Sequence, residues 1–74
     1  MKVCELLGKI VDNYVEIAVN EYKALEHTGR RYIVERHSHD YSNIPEDVWY
    51  ADVSAIVLYH DRISIEVEAK EIRE

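Results

Sequence analysis

Residues 52–68, DVSAIVLYHDRISIEVE, contain the two strongest strand patterns of the chain and decide its fold. In the second half of this stretch, apolar residues alternate with polar ones, which is the period of a strand with one buried face. The inward positions of that strand are Ile63, Ile65, Val67 and Ala69. The HDR turn at 60–62 joins the two halves, so the stretch predicts a β-hairpin.

The first strand of this hairpin is apolar on both faces. Ile56 and Leu58 lie on one face, and the other face carries Val53, Ala55, Val57 and Tyr59. A strand that is apolar on both sides is typically buried on both sides. Two short helices cover only one face of a small sheet, so Ile56 and Leu58, together with Ile33, predict a second apolar face. We therefore expect a homodimer or a higher homo-oligomer.

The region before this hairpin predicts a helix and a second hairpin. Apolar residues at i, i+3, i+4 and i+7 over 3–10 indicate a helix, with Gly8 at a close packing contact. Alternation over 15–19, VEIAV, predicts a strand, and 31–37, RYIVERH, predicts its partner. The segment between them, 26–30, EHTGR, supplies the turn, with Gly29 free to adopt positive φ.

The connection between the two hairpins contains a helix start. Ser42 and Asn43 are helix-cap residues, Pro45 suits a first helical turn, and two acidic residues follow it. We expect about two helical turns ending at Tyr50, anchored by Val48 and Trp49. The complete order is α-β-β-α-β-β in one domain, 1–74. It predicts an α+β fold with a single-layer, mostly antiparallel four-stranded sheet and two short helices.

Composition restricts the classes of function. The 74 residues carry a net charge of −6, which argues against direct binding to nucleic-acid phosphates. No apolar run approaches the length that spans a membrane, so we expect no membrane partner. The single cysteine, Cys4, excludes an internal disulfide and favours a reducing compartment.

A cationic, aromatic strip interrupts this acidic chain. Residues 30–40 hold three arginines against Glu35 and Asp40, so the strip is net positive with neutral histidines. Arginine is a fork-shaped donor that suits phosphate, and tyrosine can stack on a base. The strip and the following hairpin turn give the candidate ligand-binding residues: Arg30, Arg31, Arg36, His37, Tyr41, Tyr59 and His60. Four of these, Arg36, His37, Tyr59 and His60, are expected to converge at one end of the sheet.

Metal binding and catalysis are the weaker interpretations of the same residues. His37, His39 and Asp40 are of the right type for zinc, with His60 and Asp61 in another turn. A solvated strand end explains them as well, and we expect no metal and no cofactor. Cys4 lies on the apolar side of the first helix as a small core residue. No nucleophile motif or acid–base carboxylate pair stands out, so the sequence predicts a protein that is not an enzyme.

The acidic residues offer a different class of function. Six glutamates fall on the predicted solvent side or in the tail: Glu16, Glu21, Glu66, Glu68, Glu71 and Glu74. Such a face can dock on a basic protein. A solvated face that keeps a small protein soluble is the simpler interpretation.

The layout of the chain resembles that of many short bacteriophage and prophage proteins. The resemblance is carried by MKVCELLGKI (1–10), VEIAV (15–19), a turn with glycine, IPEDVWYADV (44–53) and ISIEVE (63–68). It implies a phage protein acting in the cytoplasm of a bacterial host, and it implies an inhibitor of host immunity. One mechanism is sequestration of a nucleotide immune signal at oligomer interfaces. The alternatives are an acidic, anti-CRISPR-like blocker of a host defence protein and a small structural or regulatory module.

Overall fold

A computed structural model describes residues 1–10 and 13–68 of the chain. Its elements follow the predicted α-β-β-α-β-β order and confirm the α+β class. They are α1 (Val3–Lys9), β1 (Glu16–Lys23), β2 (Glu26–Val34), α2 (Glu46–Trp49), β3 (Val53–Leu58) and β4 (Arg62–Glu68). The predicted inward position Ala69 lies outside the described residues.

The four strands form a mixed sheet in the order β2-β1-β4-β3. Both hairpins are antiparallel, but they join through β1 and β4, which run parallel from Glu16 opposite Arg62 to Tyr22 opposite Glu68. The expectation of a mostly antiparallel sheet is therefore wrong for its central pair. The reason is the connection at 35–52, which carries the chain from one end of the sheet to the other before β3 begins. As a result β4 starts at the same end as β1.

The turn of the first hairpin is Ala24–Leu25, and the prediction of an EHTGR turn is wrong. Lys23 pairs with Glu26, and the two residues between them have φ values of 52° and 70°. Two consecutive positive φ values are the signature of a type I′ turn, whose twist matches that of the flanking strands. Gly29 does have a positive φ, 95°, but it lies within β2. There the register shifts opposite Glu21, so the glycine forms part of a β-bulge.

The hydrophobic core lies between the helices and one face of the sheet. From the helical side it contains Val3, Leu7, Ile44, Val48 and Ala51, and from the sheet Ile17, Val19, Val34, Ile65 and Val67. The predicted stripe of α1 is confirmed, because Val3 and Leu7 are buried and Leu6 and Ile10 pack partly against the core. The close contact expected at Gly8 is wrong, since a Cβ there would meet no atom within 4 Å.

Helix α2 is one turn long, which is shorter than predicted. Pro45 is its N-cap, Val48 is buried, and Trp49 packs against the core. After Tyr50 the chain leaves the helix to pair with the N-terminus. Val3 N donates to Ala51 O at 3.0 Å, and Lys2 forms an antiparallel bridge with Asp52. This pairing extends the chain and ends the helix early.

The two apolar segments expected to form a second face lie on opposite faces of the sheet. Ile56 and Leu58 stand opposite Ile65 and Ile63 on the helical side. Ile33 stands opposite Ala18 on the other side, which we call the helix-free face. The prediction of one shared apolar face is therefore wrong.

A bulge in β3 contributes to this arrangement. The register shifts between Val53 and Ala55, so Val53 faces the core together with Ile56. A one-residue shift moves every later side chain to the other face of a strand. Strict alternation from Val53 to Tyr59 is thereby broken.

Candidate functional site

An open cleft of about 670 Å³ lies at the end of the sheet where β1 and β4 begin. It is formed by three segments: the approach to β1, the residues after β2 and the β3–β4 turn. Its lining residues are Tyr14, Val15, Glu16, Glu35, Arg36, His60, Asp61 and Arg62. Because β1 and β4 are parallel, their N-terminal ends meet here, and the two hairpins contribute side chains to one site.

Asn13 fixes the backbone on both sides of Arg36. Its side-chain Nδ2 donates to the backbone carbonyl of Glu35 at 2.7 Å. The backbone carbonyl of Asn13 accepts a hydrogen bond from the backbone N–H of His37 at 2.7 Å. Asn13 is 4% exposed, and its bond to Glu35 is partly buried. Among the described residues, no carboxylate lies within 4 Å of the Arg36 guanidinium. The cleft therefore contains an arginine with an anchored backbone and a head group available to a ligand.

Arg62 supplies a second guanidinium on the opposite hairpin. Tyr59 N donates to Arg62 O at 2.8 Å, which closes a two-residue turn at His60–Asp61. The Arg62 guanidinium lies over the Tyr59 ring, with its central carbon 5.4 Å from the ring centroid. A cation–π contact of this kind restricts the rotamers of an arginine without neutralising its charge.

An aromatic pair borders the cleft beside Arg36. The rings of Tyr14 and His37 meet edge to face, with centroids 5.6 Å apart. His37 has a φ of 60°, so it takes the left-handed conformation just after Arg36. The Ser38 N–H donates to the Glu35 carbonyl at 3.1 Å, which makes this segment a tight turn. Tyr14 itself is exposed and presents a flat surface at the cleft.

The cleft combines cations and carboxylates. Arg36 and Arg62 supply two positive charges, and Glu16, Glu35 and Asp61 supply three acidic groups. Guanidinium groups bind phosphate by paired N–H donors, whereas carboxylates accept hydrogen bonds from hydroxyl groups. The lining thus offers donors for a phosphate at Arg36 and Arg62 and acceptors for hydroxyl groups, with one more carboxylate than guanidinium.

Arg30 lies away from the cleft, on the helical side of the sheet. Its Nη1 pairs with Glu21 Oε2 at 3.1 Å and with Asp47 Oδ2 at 3.4 Å, and its Nε donates to the Tyr32 hydroxyl at 2.7 Å. The bond to Tyr32, followed by the attraction of Asp47 and Glu21, raises the pKa of the Arg30 guanidinium. Arg30 therefore ties β1 and β2 to α2 rather than joining an anion site.

Arg31 lies on the helix-free face and holds a buried polar group. Its Nε donates to Asn20 Oδ1 at 2.7 Å, and Asn20 Nδ2 donates to Ser64 Oγ at 2.8 Å. Asn20 is 2% exposed, and His27 Nε2 lies 3.2 Å from the same Oδ1. The two adjacent arginines thus point to opposite faces, as alternation in a strand requires.

Tyr41 lines a second, smaller cleft of about 330 Å³ together with Trp49 and Tyr50. The rings of Tyr41 and Trp49 are 5.4 Å apart between centroids and tilted by 33°. This pair packs against the core from the α2 side. Tyr41 is therefore not part of the cleft at the sheet end.

The expected convergence at one sheet end is met in part. Arg36 and His60 line the cleft directly, His37 contacts its border at Tyr14, and Tyr59 supports Arg62. Sequence reasoning missed Tyr14 and Arg62 as lining residues. Each lies at or just before the start of a strand with clear alternation, β1 or β4. That position at a strand start was the signal in the sequence that could have identified them.

The remaining candidate groups are dispersed. Within residues 1–10 and 13–68, no three side chains of the metal-ligating types come together as a metal site. Glu21 was expected on the solvent side, but it is buried and pairs with Arg30. Glu66 and Glu68 lie on the helix-free face, and Glu71 and Glu74 lie outside the described residues. No helix in the described part of the chain is long and apolar enough to cross a membrane.

Comparisons of the chain with models of protein families, with curated proteins and with solved structures found no match.

Proposed function

We propose that this protein is a non-catalytic binding protein that captures a nucleotide in the cleft at the end of its sheet. The observation that carries the proposal is that two arginines from different segments, Arg36 after β2 and Arg62 at the start of β4, line the same cleft. Arg36 has no carboxylate partner among the described residues, so its charge is available for phosphate. His60, on the turn before Arg62, also lines the cleft and can donate a hydrogen bond.

The dimensions and the other lining groups suit the same ligand class. A volume of about 670 Å³ falls within the range of roughly 300–1,000 Å³ that is usual for small-molecule sites. Tyr14 provides a surface for base stacking. Glu16 and Asp61 provide acceptors for ribose hydroxyls.

The biological setting of the proposal comes from the resemblance to phage proteins. In that setting the ligand is a nucleotide immune signal of the bacterial host, and the protein sequesters the signal in the host cytoplasm. A ligand that is held intact lowers the free concentration available to its receptor. Assembly into oligomers would multiply the sites per particle.

The first test separates capture from catalysis. The protein is incubated with cyclic dinucleotides and ADP-ribose-type nucleotides, the mixture is filtered to remove protein, and the filtrate is assayed. Heating the retained protein then releases whatever it held. Depletion followed by intact recovery supports capture, consumption indicates an enzyme, and no depletion of any nucleotide contradicts the proposal.

The second test assigns the site. Arg36→Ala is expected to weaken nucleotide binding about 10- to 100-fold, since a hydrogen bond to a charged group contributes about 1.5–3 kcal/mol. Lys23→Ala is the control because it removes the same charge from an exposed position at the other end of the sheet. Circular dichroism checks that both variants fold. Equal losses in the two variants would show a diffuse charge effect and not a site.

A second candidate function is supported by the net charge of −6. An acidic protein of this size can dock on a basic surface of a host defence protein and block it. A pull-down from host lysate tests this function. A partner that is retained at low salt, released at high salt and unaffected by Arg36→Ala would favour the blocker over nucleotide capture. A module with a structural or regulatory role would show neither behaviour.

A further inference from the structure

The outer edge of β3 differs in chemistry from the other edge of the sheet. Strand β3 is terminal in the order β2-β1-β4-β3, and from Val53 to Tyr59 it has no charged residue and no proline. Edge strands usually carry charges, prolines or bulges that prevent pairing with another chain. The opposite edge, β2, follows that rule with Glu26, Arg30 and Arg31. The bulge of β3 lies at its start, between Val53 and Ala55, so the rest of the strand is the unprotected edge.

Large apolar side chains are exposed along this edge. Ile56 is 48% exposed and Leu58 is 75% exposed, and both project on the helical side of the sheet. Tyr59, at the end of the strand, is also exposed, but it alternates to the helix-free face, where its ring contacts Arg62. A strand paired with this edge would cover the exposed side chains of Ile56 and Leu58.

The backbone of the same segment is available for pairing. Tyr59 N bonds inward to Arg62 O, and alternation in an antiparallel ladder then turns the N–H and C=O groups of Ile56 and Leu58 outward. At the start of the strand the edge is already occupied, because Val53 N donates to Met1 O at 2.8 Å. In the described part of the chain, the free edge therefore extends from Ser54 to Tyr59.

We propose that this edge pairs in antiparallel orientation with β3 of a second copy of the chain, on a two-fold axis at Val57. A second copy is the fitting occupant for an electrostatic reason. The chain carries a net charge of −6, so most of its surface repels another copy, whereas the β3 edge is neutral. An isologous contact also requires a self-complementary patch, which this segment provides.

The position of the axis follows from the side chains. Centring the pair on Val57 places Ile56 opposite the partner's Leu58, and Leu58 opposite the partner's Ile56. Four backbone hydrogen bonds then form between these outward-facing residues. The two Val57 residues meet on the helix-free face, and Met1 and Val53 stay clear of the contact. The result is one continuous eight-stranded sheet, and this inference does not depend on what the cleft binds.

The first experiment measures mass in solution. By light scattering at about 100 µM, the protein is expected at twice its chain mass of 8.7 kDa. Leu58→Lys should return it to the monomer, because a charge on the edge opposes pairing. The control is Leu25→Lys, which makes the same change at another exposed leucine, on the tip of the first hairpin. A monomeric wild type, or dissociation by the control alone, would overturn the proposal.

The second experiment tests the register by crosslinking and does not rely on a variant that weakens the dimer. In a Cys4→Ala background, Val57→Cys places two thiols across the axis at a Cα separation of about 4.5 Å, which a disulfide can bridge. Ser54→Cys is the matched control on the same edge, with its two thiols about six residues apart. Mild oxidation should give a covalent dimer for Val57→Cys only. A dimer from both variants, from neither, or from Ser54→Cys alone contradicts the proposed pairing.

Discussion

The type I′ turn at Ala24–Leu25 holds two residues in a conformation that they disfavour. Their φ values are 52° and 70°, and the Leu25 side chain is 93% exposed. A residue with a Cβ loses about 1–2 kcal/mol in the left-handed region, whereas asparagine and glycine are the preferred pair in this turn. The double substitution Ala24→Asn, Leu25→Gly should therefore stabilise the protein.

The expected gain is about 1–2 kcal/mol. Glycine relieves the cost at position 25 and asparagine part of the cost at position 24. Against this, glycine adds roughly 0.5–1 kcal/mol of chain entropy to the unfolded state. Leu25 contributes little packing at 93% exposure, so its loss subtracts almost nothing. For a domain of this size, a gain of about 1 kcal/mol raises Tm by about 4–8 °C.

Urea denaturation followed by circular dichroism measures the change, with two controls. Leu25→Ala keeps the backbone strain and should unfold at the same urea concentration as the wild type. Gly29→Ala introduces strain at a φ of 95° in open space and should destabilise by about 1–2 kcal/mol. The reasoning is refuted if the Asn-Gly variant is no more stable than the wild type.

Three further predictions concern other parts of the fold. Gly8→Ala should stabilise by about 0.5–1 kcal/mol, measured by thermal denaturation, because alanine is the better helix former and its Cβ meets no atom within 4 Å. Asn20→Ala should destabilise by about 1–3 kcal/mol in urea, because Ser64 loses its partner at a site 2% exposed. Hydrogen bonds from the Ser42 hydroxyl and backbone N–H lower the pKa of Asp40 below its ordinary 3.8. Their contribution to stability is present above pH 3.8 and is lost as the pH falls through the lower folded value. An NMR titration of Asp40 should give a pKa below 3.8, and Ser42→Ala should raise that pKa toward its ordinary value.

Local patterns in the sequence were sufficient for the elements and for much of the core. Alternation over 63–68 and the helical spacing of Val3 and Leu7 depend only on the geometry of one strand or one helix. The structure buries Ile65, Val67, Val3 and Leu7 accordingly. The positions of turns were harder, because Ala24 and Leu25 have no turn propensity of their own. Gly29, which has it, serves a bulge instead.

The candidate site needed information that no local pattern contains. Arg30, Arg31 and Arg36 lie within seven positions of sequence, yet one binds Glu21, one holds Asn20 and one faces the cleft. Their separation follows from alternation across a strand and from the turn after β2. The three arginines are therefore close in sequence but do not form a cluster in space.

The sequence by itself determined which segments form helices and strands and which side chains have an apolar period. Only the tertiary structure decided that β1 and β4 run parallel, and this pairing brings Arg62 to the same end as Arg36. It also decided that Ile56 and Ile33 face opposite sides of the sheet. The physical reason is that periodicity is set within a few residues, whereas strand order and register depend on contacts between residues far apart in sequence. A single bulge in such a contact changes which face every later residue occupies.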